Sequence, residues 1–230
     1  AQFTGDTNYL RDAARGFRAK RITSLLEEQH LHDTATVSRV QLDTTVPEIS
    51  EALEFAASDL GGSPCAGQLL IWEGSFGTES AGALIFARLW ERLLTEVIAP
   101  HLPAESTTNI GMTELSSLLL LLEDVAHPFW NNPNTDEIEL RSDRLGEVLD
   151  HVCTEIESRY GTDLEKWRWA TEHHARFIAP VLGQSGIGPS EAMANKIVTV
   201  PGGAATVNMG RGRRGDGFNA VHISAYRAIF

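Results

Sequence analysis

The chain has no apolar run near the roughly 20 residues that a membrane-spanning helix needs. Its longest, Leu118 to Leu122, lies between Ser116-Ser117 and Glu123-Asp124 and reads as the buried part of a helix, so no membrane partner is expected. It is also short of positive charge, with 19 Lys and Arg against 31 Asp and Glu and a net charge of −12. A phosphate backbone needs a basic stripe, and apart from one cluster near the start the basic residues are dispersed; a nucleic-acid partner is not expected either. The two cysteines, Cys65 and Cys153, can pair or stay free, and two settle no redox compartment. No basic and apolar leader precedes the body, so a targeting segment is expected to be absent or already removed. Ala1, the first residue, carries neither hydroxyl nor thiol.

What is present suffices for a folded body, since 230 residues with 42% apolar content can bury one substantial core or two small ones. Most of the first 180 residues read as helices. Phe17, Ile22, Leu25 and Leu26 stand at helical spacing within Asp12 to Gln29, and Pro47 opens a second segment at a first-turn position. Ile49, Leu53, Ala56, Ala57 and Leu60 share its face until Gly61-Gly62. A third helix is expected from Ser80 to Ile98, stopped by Pro100. The clearest starts at Ser142 as cap, carries Leu145, Val148, Leu149, Val152 and Ile156 as one stripe, and ends at Gly161. After Pro180 the runs Lys196 to Val200, Ala205 to Met209 and Ala220 to Tyr226 are short, β-leaning and separated by glycines. The expected class is α+β, with a helical region over 1–180 and a strand-rich region over 181–230.

Several constellations invite chemistry without supporting it. His30 and His32, and the adjacent His173-His174, lie on separate segments and match no zinc spacing. The expected role of His173 is that of a hydrogen-bonded structural histidine among core tryptophans. Ser185 in GQSGIG lacks the final glycine of a nucleophile elbow and a strand before it. The run GRGRRGDG has no G-K-[ST] ending and reads as a hairpin.

Arg11, Arg15, Arg18, Lys20 and Arg21 fill the start of the first helix and Glu27-Glu28 its end, against the preference of the helix dipole. Either the arginines pair with acids of this acidic chain, or a guanidinium here fixes carbonyls and carboxylates around a reaction centre. This helix is followed by Gln41 and Asp43, by Trp72-Glu73-Gly74, by Trp167, Trp169, His173 and Phe177 in KWRWATEHHARF, by Gly202-Gly203 to Asn208 in PGGAATVN, and by Ser224 to Arg227. In that order they resemble the beta chain of the penicillin acylase family of N-terminal-nucleophile amidohydrolases. Ala170 stands where the family usually has glycine, and Ala179-Pro180 where it often has His-Pro.

The resemblance implies a share in an αββα assembly and an acyl transfer to a serine at the start of the beta chain. There the hydroxyl attacks an amide carbonyl, the free α-amine serves as base, and an oxyanion hole carries the charge. Arg18 aligns with the arginine that opens the family motif R-x-x-x-I-x-x-L-L near the nucleophile; Arg21 is its nearest competitor. Neither the serine nor the oxyanion asparagine has a counterpart here, Asn8 lying too close to the helix. The chain is therefore expected to be an internal segment whose partners are an alpha chain and a serine-bearing N-terminal part of the beta chain, with a small-molecule amide as substrate. The alternative is a non-catalytic helical scaffold or interaction module derived from an acylase. No cofactor is implied, although Asp6 is a candidate calcium ligand by its interval from the arginine, and a periplasmic or extracellular location follows from the resemblance alone. Within the family the acyl group varies among β-lactam side chains, acyl-homoserine lactones and lipopeptides, and the substrate is not legible.

Overall fold

A computed structural model describes residues 16–103, 115–212, 217–224 and 227–228. The order is helices followed by a small sheet, an α+β fold. Helix α1 spans Phe17–Glu27, α2 Thr34–Leu42, α3 Pro47–Phe55, α4 Pro64–Leu70 and α5 Ala81–Arg92. A π-helical stretch, Leu93–Ile98, continues α5. Helix α6 is Leu115–Glu123, α7 Arg141–Tyr160 and α8 Gly188–Ala194. The strands are β1 His174–Phe177, β2 Lys196–Thr199, β3 Gly210–Gly212 and β4 Ala220–Ile223.

The core is made where α3, α4, α5, α6 and α7 bury their apolar faces against one another. Leu145, Val148, Leu149, Val152 and Ile156 form the stripe expected for α7, each at 5% exposure or less. A disulfide between Cys65 on α4 and Cys153 on α7, with Cα atoms 5.7 Å apart, fastens two of these helices. In the α5 register the Ser80 hydroxyl takes the Ala83 N–H at 3.1 Å and begins the helix.

Several boundaries differ from those read in the sequence. The cap of α7 is not Ser142: the helix starts one residue earlier, and the Asp143 carboxylate takes the Leu140 N–H at 2.8 Å. Helix α3 stops at Phe55 rather than at the glycines, giving way to a short 3-10 turn over Ala57–Asp59. That turn is held by α7, because Asp59 accepts from Arg141 Nε at 2.6 Å and a Cβ on Gly146 would come within 3.2 Å of the Asp59 carbonyl. The expected Ala205 to Met209 strand is a bent loop, for its polar backbone groups are taken outside any ladder, as described below. Strand β1 was not anticipated and falls in the region read as helical; the last strand runs only over Ala220–Ile223, residues 225–226 lying outside the described set.

The sheet order is β2-β1-β4-β3. Strand β1 pairs antiparallel with β2, from His174 opposite Thr199 to Phe177 opposite Lys196, and parallel with β4 at Ala175 and Ala220. Strands β3 and β4 pair antiparallel, with an irregularity at Arg211 and Gly212; the turn expected within GRGRRGDG falls on residues 213–216, outside the described residues. Among the strand residues only Ala175 and Gly210 are buried.

Candidate functional site

The family-like residues converge on the glycine-rich loop 201–208, which sits between α1 and the aromatic centre of the helical layer. Gly16, at φ 40°, turns the chain into α1, and buried Phe17 anchors that turn. Arg18 then reaches across to the loop: its Nε donates to the Thr206 carbonyl at 2.8 Å and its Nη2 to the Ala204 carbonyl at 3.0 Å. One turn later on the same face, Arg21 grips Asp43 with two parallel bonds of 3.1 and 2.8 Å. The Asp43 carboxylate and hydrogen bonding to it raise the pKa of Arg21. Lys20 pairs with Glu48 at 2.9 Å. Within the cluster, then, charge pairing describes Arg21 and Lys20, whereas Arg18 holds backbone carbonyls. Arg11, Arg15, Asn8 and the calcium candidate Asp6 lie outside the described residues.

Asp43 also ties the far end of the loop, since its own carbonyl accepts the Asn208 N–H at 2.8 Å. The side chain of Asn208, nearly buried, accepts from Arg227 Nη2. Inside the loop the fully buried Thr206 hydroxyl accepts the Gly203 N–H at 2.9 Å and lies within donating distance of the Gly203 and Asn208 carbonyls, at 3.0 and 2.7 Å. Gly202 is sterically required and Gly203 is tightly placed. Gly202 has φ 96° and a Cβ there would lie 2.0 Å from the Asn208 carbonyl oxygen, while one on Gly203 would press the Phe76 ring at 3.2 Å.

The helical layer presents an aromatic cluster to this loop. The Trp72-Glu73-Gly74 turn closes through Trp72 Nε1, which donates to the Ser75 carbonyl at 2.8 Å, and Gly74 at φ 76° packs against the Val46 carbonyl. The next aromatic, Phe76, meets Trp72 edge-on at 5.3 Å and Trp169 at 5.8 Å, and its carbonyl accepts the Gly202 N–H at 2.8 Å. Trp169 Nε1 donates to the Gly202 carbonyl at 3.0 Å, and its ring stacks on His173 with centroids 4.4 Å apart and planes 15° apart. Trp167 does not join this group; it is buried in the helical core with Nε1 on the Gly161 carbonyl at 2.8 Å. Ala170 sits without strain, its N–H on the Thr78 carbonyl at 2.8 Å.

His173 is 1% exposed and donates from Nδ1 to the Phe218 carbonyl at 2.5 Å. Burial, together with the nearby His174, pulls its pKa from 6.5 to about 4 against the opposing effect of that bond, so the ring is neutral near pH 7. His30 and His32 are exposed on the α1–α2 connection, and among the described residues no group of three His, Cys, Asp or Glu can hold a metal ion. Exposed Ser185 follows a 3-10 turn.

Sequence reasoning missed Thr206 and Phe218: the Thr206 hydroxyl bonds backbone groups of its own bent loop, and the Phe218 carbonyl receives the His173 ring from 45 positions away, so residue type signals neither role. Asp43 was noticed as part of a motif but not as a double anchor; it stands at the end of α2, 22 positions from Arg21, and no local pattern joins the two. A family model described as penicillin amidase matches residues 2–230. The chain belongs to that family, and its lineage is that of amidohydrolases. A comparison with curated proteins returns no match.

Proposed function

We propose that this chain is a segment of an acylase that hydrolyses a linear amide bond through an N-terminal serine carried elsewhere in the enzyme. The observation that carries this is the family match over residues 2–230. Two features of the structure support it. Most residues of the sheet are exposed or half-buried, and β2 and β3 are its edges among the described residues; a sheet of this kind gains from further strands or a covering layer. Arg18, a side chain the resemblance places near the reaction centre, is held rigidly by two carbonyls of the glycine loop.

In this reading the serine hydroxyl attacks the amide carbonyl, the α-amine of the serine accepts the proton, and the acyl-enzyme is then hydrolysed. Arg18 positions groups around that centre and carries no bond-making step. The disulfide supports a periplasmic or extracellular location, since such bridges persist in oxidising compartments. No helix among the described residues is long and apolar enough to cross a membrane.

The test is expression of the complete reading frame that encodes this segment, followed by assay against a panel of N-acyl amides of varied acyl chain. Hydrolysis that disappears when the N-terminal serine is replaced by alanine is the expected result. A folded, correctly processed protein that cleaves no member of the panel refutes the reading. Residues 1–230 alone are expected to be inactive, because losing even one oxyanion donor costs about 2.7 to 4 kcal/mol and the nucleophile is missing as well.

A further inference from the structure

Charge is divided unevenly between the helical layer and the sheet. Residues 174–230, which hold the four described strands, carry six Lys and Arg against two acids, a net of +4, whereas residues 1–173 carry thirteen against twenty-nine, a net of −16. The two regions also treat their cations differently. From Lys20 to Arg168 each described Lys and Arg is in an ion pair with a carboxylate. In the sheet, Arg176, Lys196 and Arg211 meet no carboxylate among the described residues.

The strand register sets two of these cations in one row. Lys196 on β2 stands opposite Phe177 on β1, and Arg211 on β3 opposite His222 on β4; residues directly opposite share a face. Phe177 and His222 each lie two positions beyond the Ala175–Ala220 pairing of β1 and β4, and alternate residues of a strand share a face. The row across the sheet, in the order β2-β1-β4-β3, is therefore Lys196, Phe177, His222 and Arg211. At a strand spacing of about 4.8 Å the two cations stand about 14 Å apart, with a ring and an imidazole between them. Lys196, Phe177 and His222 are exposed and Arg211 is half-buried. Charges on edge strands can serve only to repel unwanted pairing, and Lys196 and Arg211 are on the edges. Arg176 is on the interior strand β1 and meets no carboxylate either, so the surplus is not confined to the edges.

We propose that this row docks an acidic polypeptide segment belonging to the rest of the enzyme, with carboxylates on Lys196 and Arg211 and an apolar side chain between them on Phe177. The proposal rests on the reading of the chain as part of a longer protein. A second copy is disfavoured, because its acidic surface is the helical layer and a contact from sheet to helices is head-to-tail, which does not close in a pair. A polyphosphate is disfavoured by the net charge of −12.

The experiment is zero-length carbodiimide coupling of the complete enzyme, which joins an amine to a carboxylate only where the two touch, read by peptide mass spectrometry beside an amidase assay. The expected result is a peptide joining Lys196 to an Asp or Glu outside residues 1–230. Its yield should fall at least about tenfold in Arg211→Glu, which sets like charges against each other, and Arg211→Gln serves if the reversal prevents folding. Undiminished yield in both variants, or an equal fall in Arg39→Glu on the helical layer, overturns the row. No link at all, or a link to a carboxylate within residues 1–230 of the same or a second copy, overturns the docking surface. Linked protein without amidase activity refutes only the acylase reading, and active enzyme without the link refutes only this proposal.

Discussion

Lowering the pH from 7 to 4 should destabilise the chain through His173 in a way that one substitution removes. The ring is neutral when folded, with a pKa of about 4 against 6.5 in the free side chain. Above pH 6.5 neither state binds the proton and the histidine adds no pH dependence. Between pH 6.5 and 4 the unfolded chain protonates and the folded chain does not, so stability falls as pH falls; below about pH 4 both are protonated and the loss levels off. A shift of this size corresponds to about 3 kcal/mol, a large fraction of a domain's net stability. The charge would arise beneath Trp169, with His174 beside it and the Arg88 guanidinium 4.9 Å from the Phe218 ring, and Nε2 would gain a hydrogen with no acceptor among the described residues. The assay is urea denaturation at a series of pH values for the protein and for His173→Asn, whose amide N–H can replace Nδ1 at the Phe218 carbonyl and never charges. Carboxylates titrate in the same window, but they are common to both proteins. The difference between the two curves should therefore change by about 3 kcal/mol from pH 7 to 4. Parallel curves would refute the argument.

In the complete enzyme Arg18→Ala should lower kcat by at least about tenfold, on the order of 1.4 kcal/mol, with Arg18→Lys recovering little because one ammonium cannot span two carbonyls. Arg15→Ala should be nearly silent in the same kinetics; equal losses would show that the helix has been misaligned. Reduction of the Cys65–Cys153 bridge, which closes a separation of 88 residues, should cost about 4 to 5 kcal/mol in denaturant unfolding by the chain-entropy argument. Gly202→Ala should cost on the order of 3 kcal/mol or prevent folding, from its φ of 96° and the clash with the Asn208 carbonyl, whereas Gly62→Ala, where a Cβ meets open space, should be mild; thermal melts distinguish them. The isolated chain should aggregate or co-purify with a second polypeptide through its sheet edges, and a monodisperse, stable monomer in size-exclusion chromatography would count against that.

Helices were legible where a local period carried them. The α7 stripe from Leu145 to Ile156 and the proline at the start of α3 need no knowledge of the rest of the chain. Their ends were less so, because the cap of α7 is chosen by Asp143 and the end of α3 by contact with Arg141 and Gly146. The sheet was the least legible part. HARF has four residues, two of them exposed, and becomes a strand only by pairing with β2 and β4. Ala205 to Met209 alternates like a strand yet is bent, since Arg18 and Asp43, distant in sequence, take its backbone groups. The candidate site shows the same division. Trp169, His173, Gly202 and Asn208 were visible as residue types in a recognisable order, while the geometry that unites them runs through carbonyls no motif can name.

The bond from Arg18 to Thr206 joins residues 188 positions apart. On a ribosome adding about 5 to 20 residues per second, the first helix would wait roughly 10 to 40 seconds for the loop that receives it. Cys65 and Cys153 have both been made well before then, so the helical layer that they join can begin to close while α1 is still undocked. The arginine clasp is thus a late event of biosynthesis, and it reports that the chain has been made through at least its glycine loop.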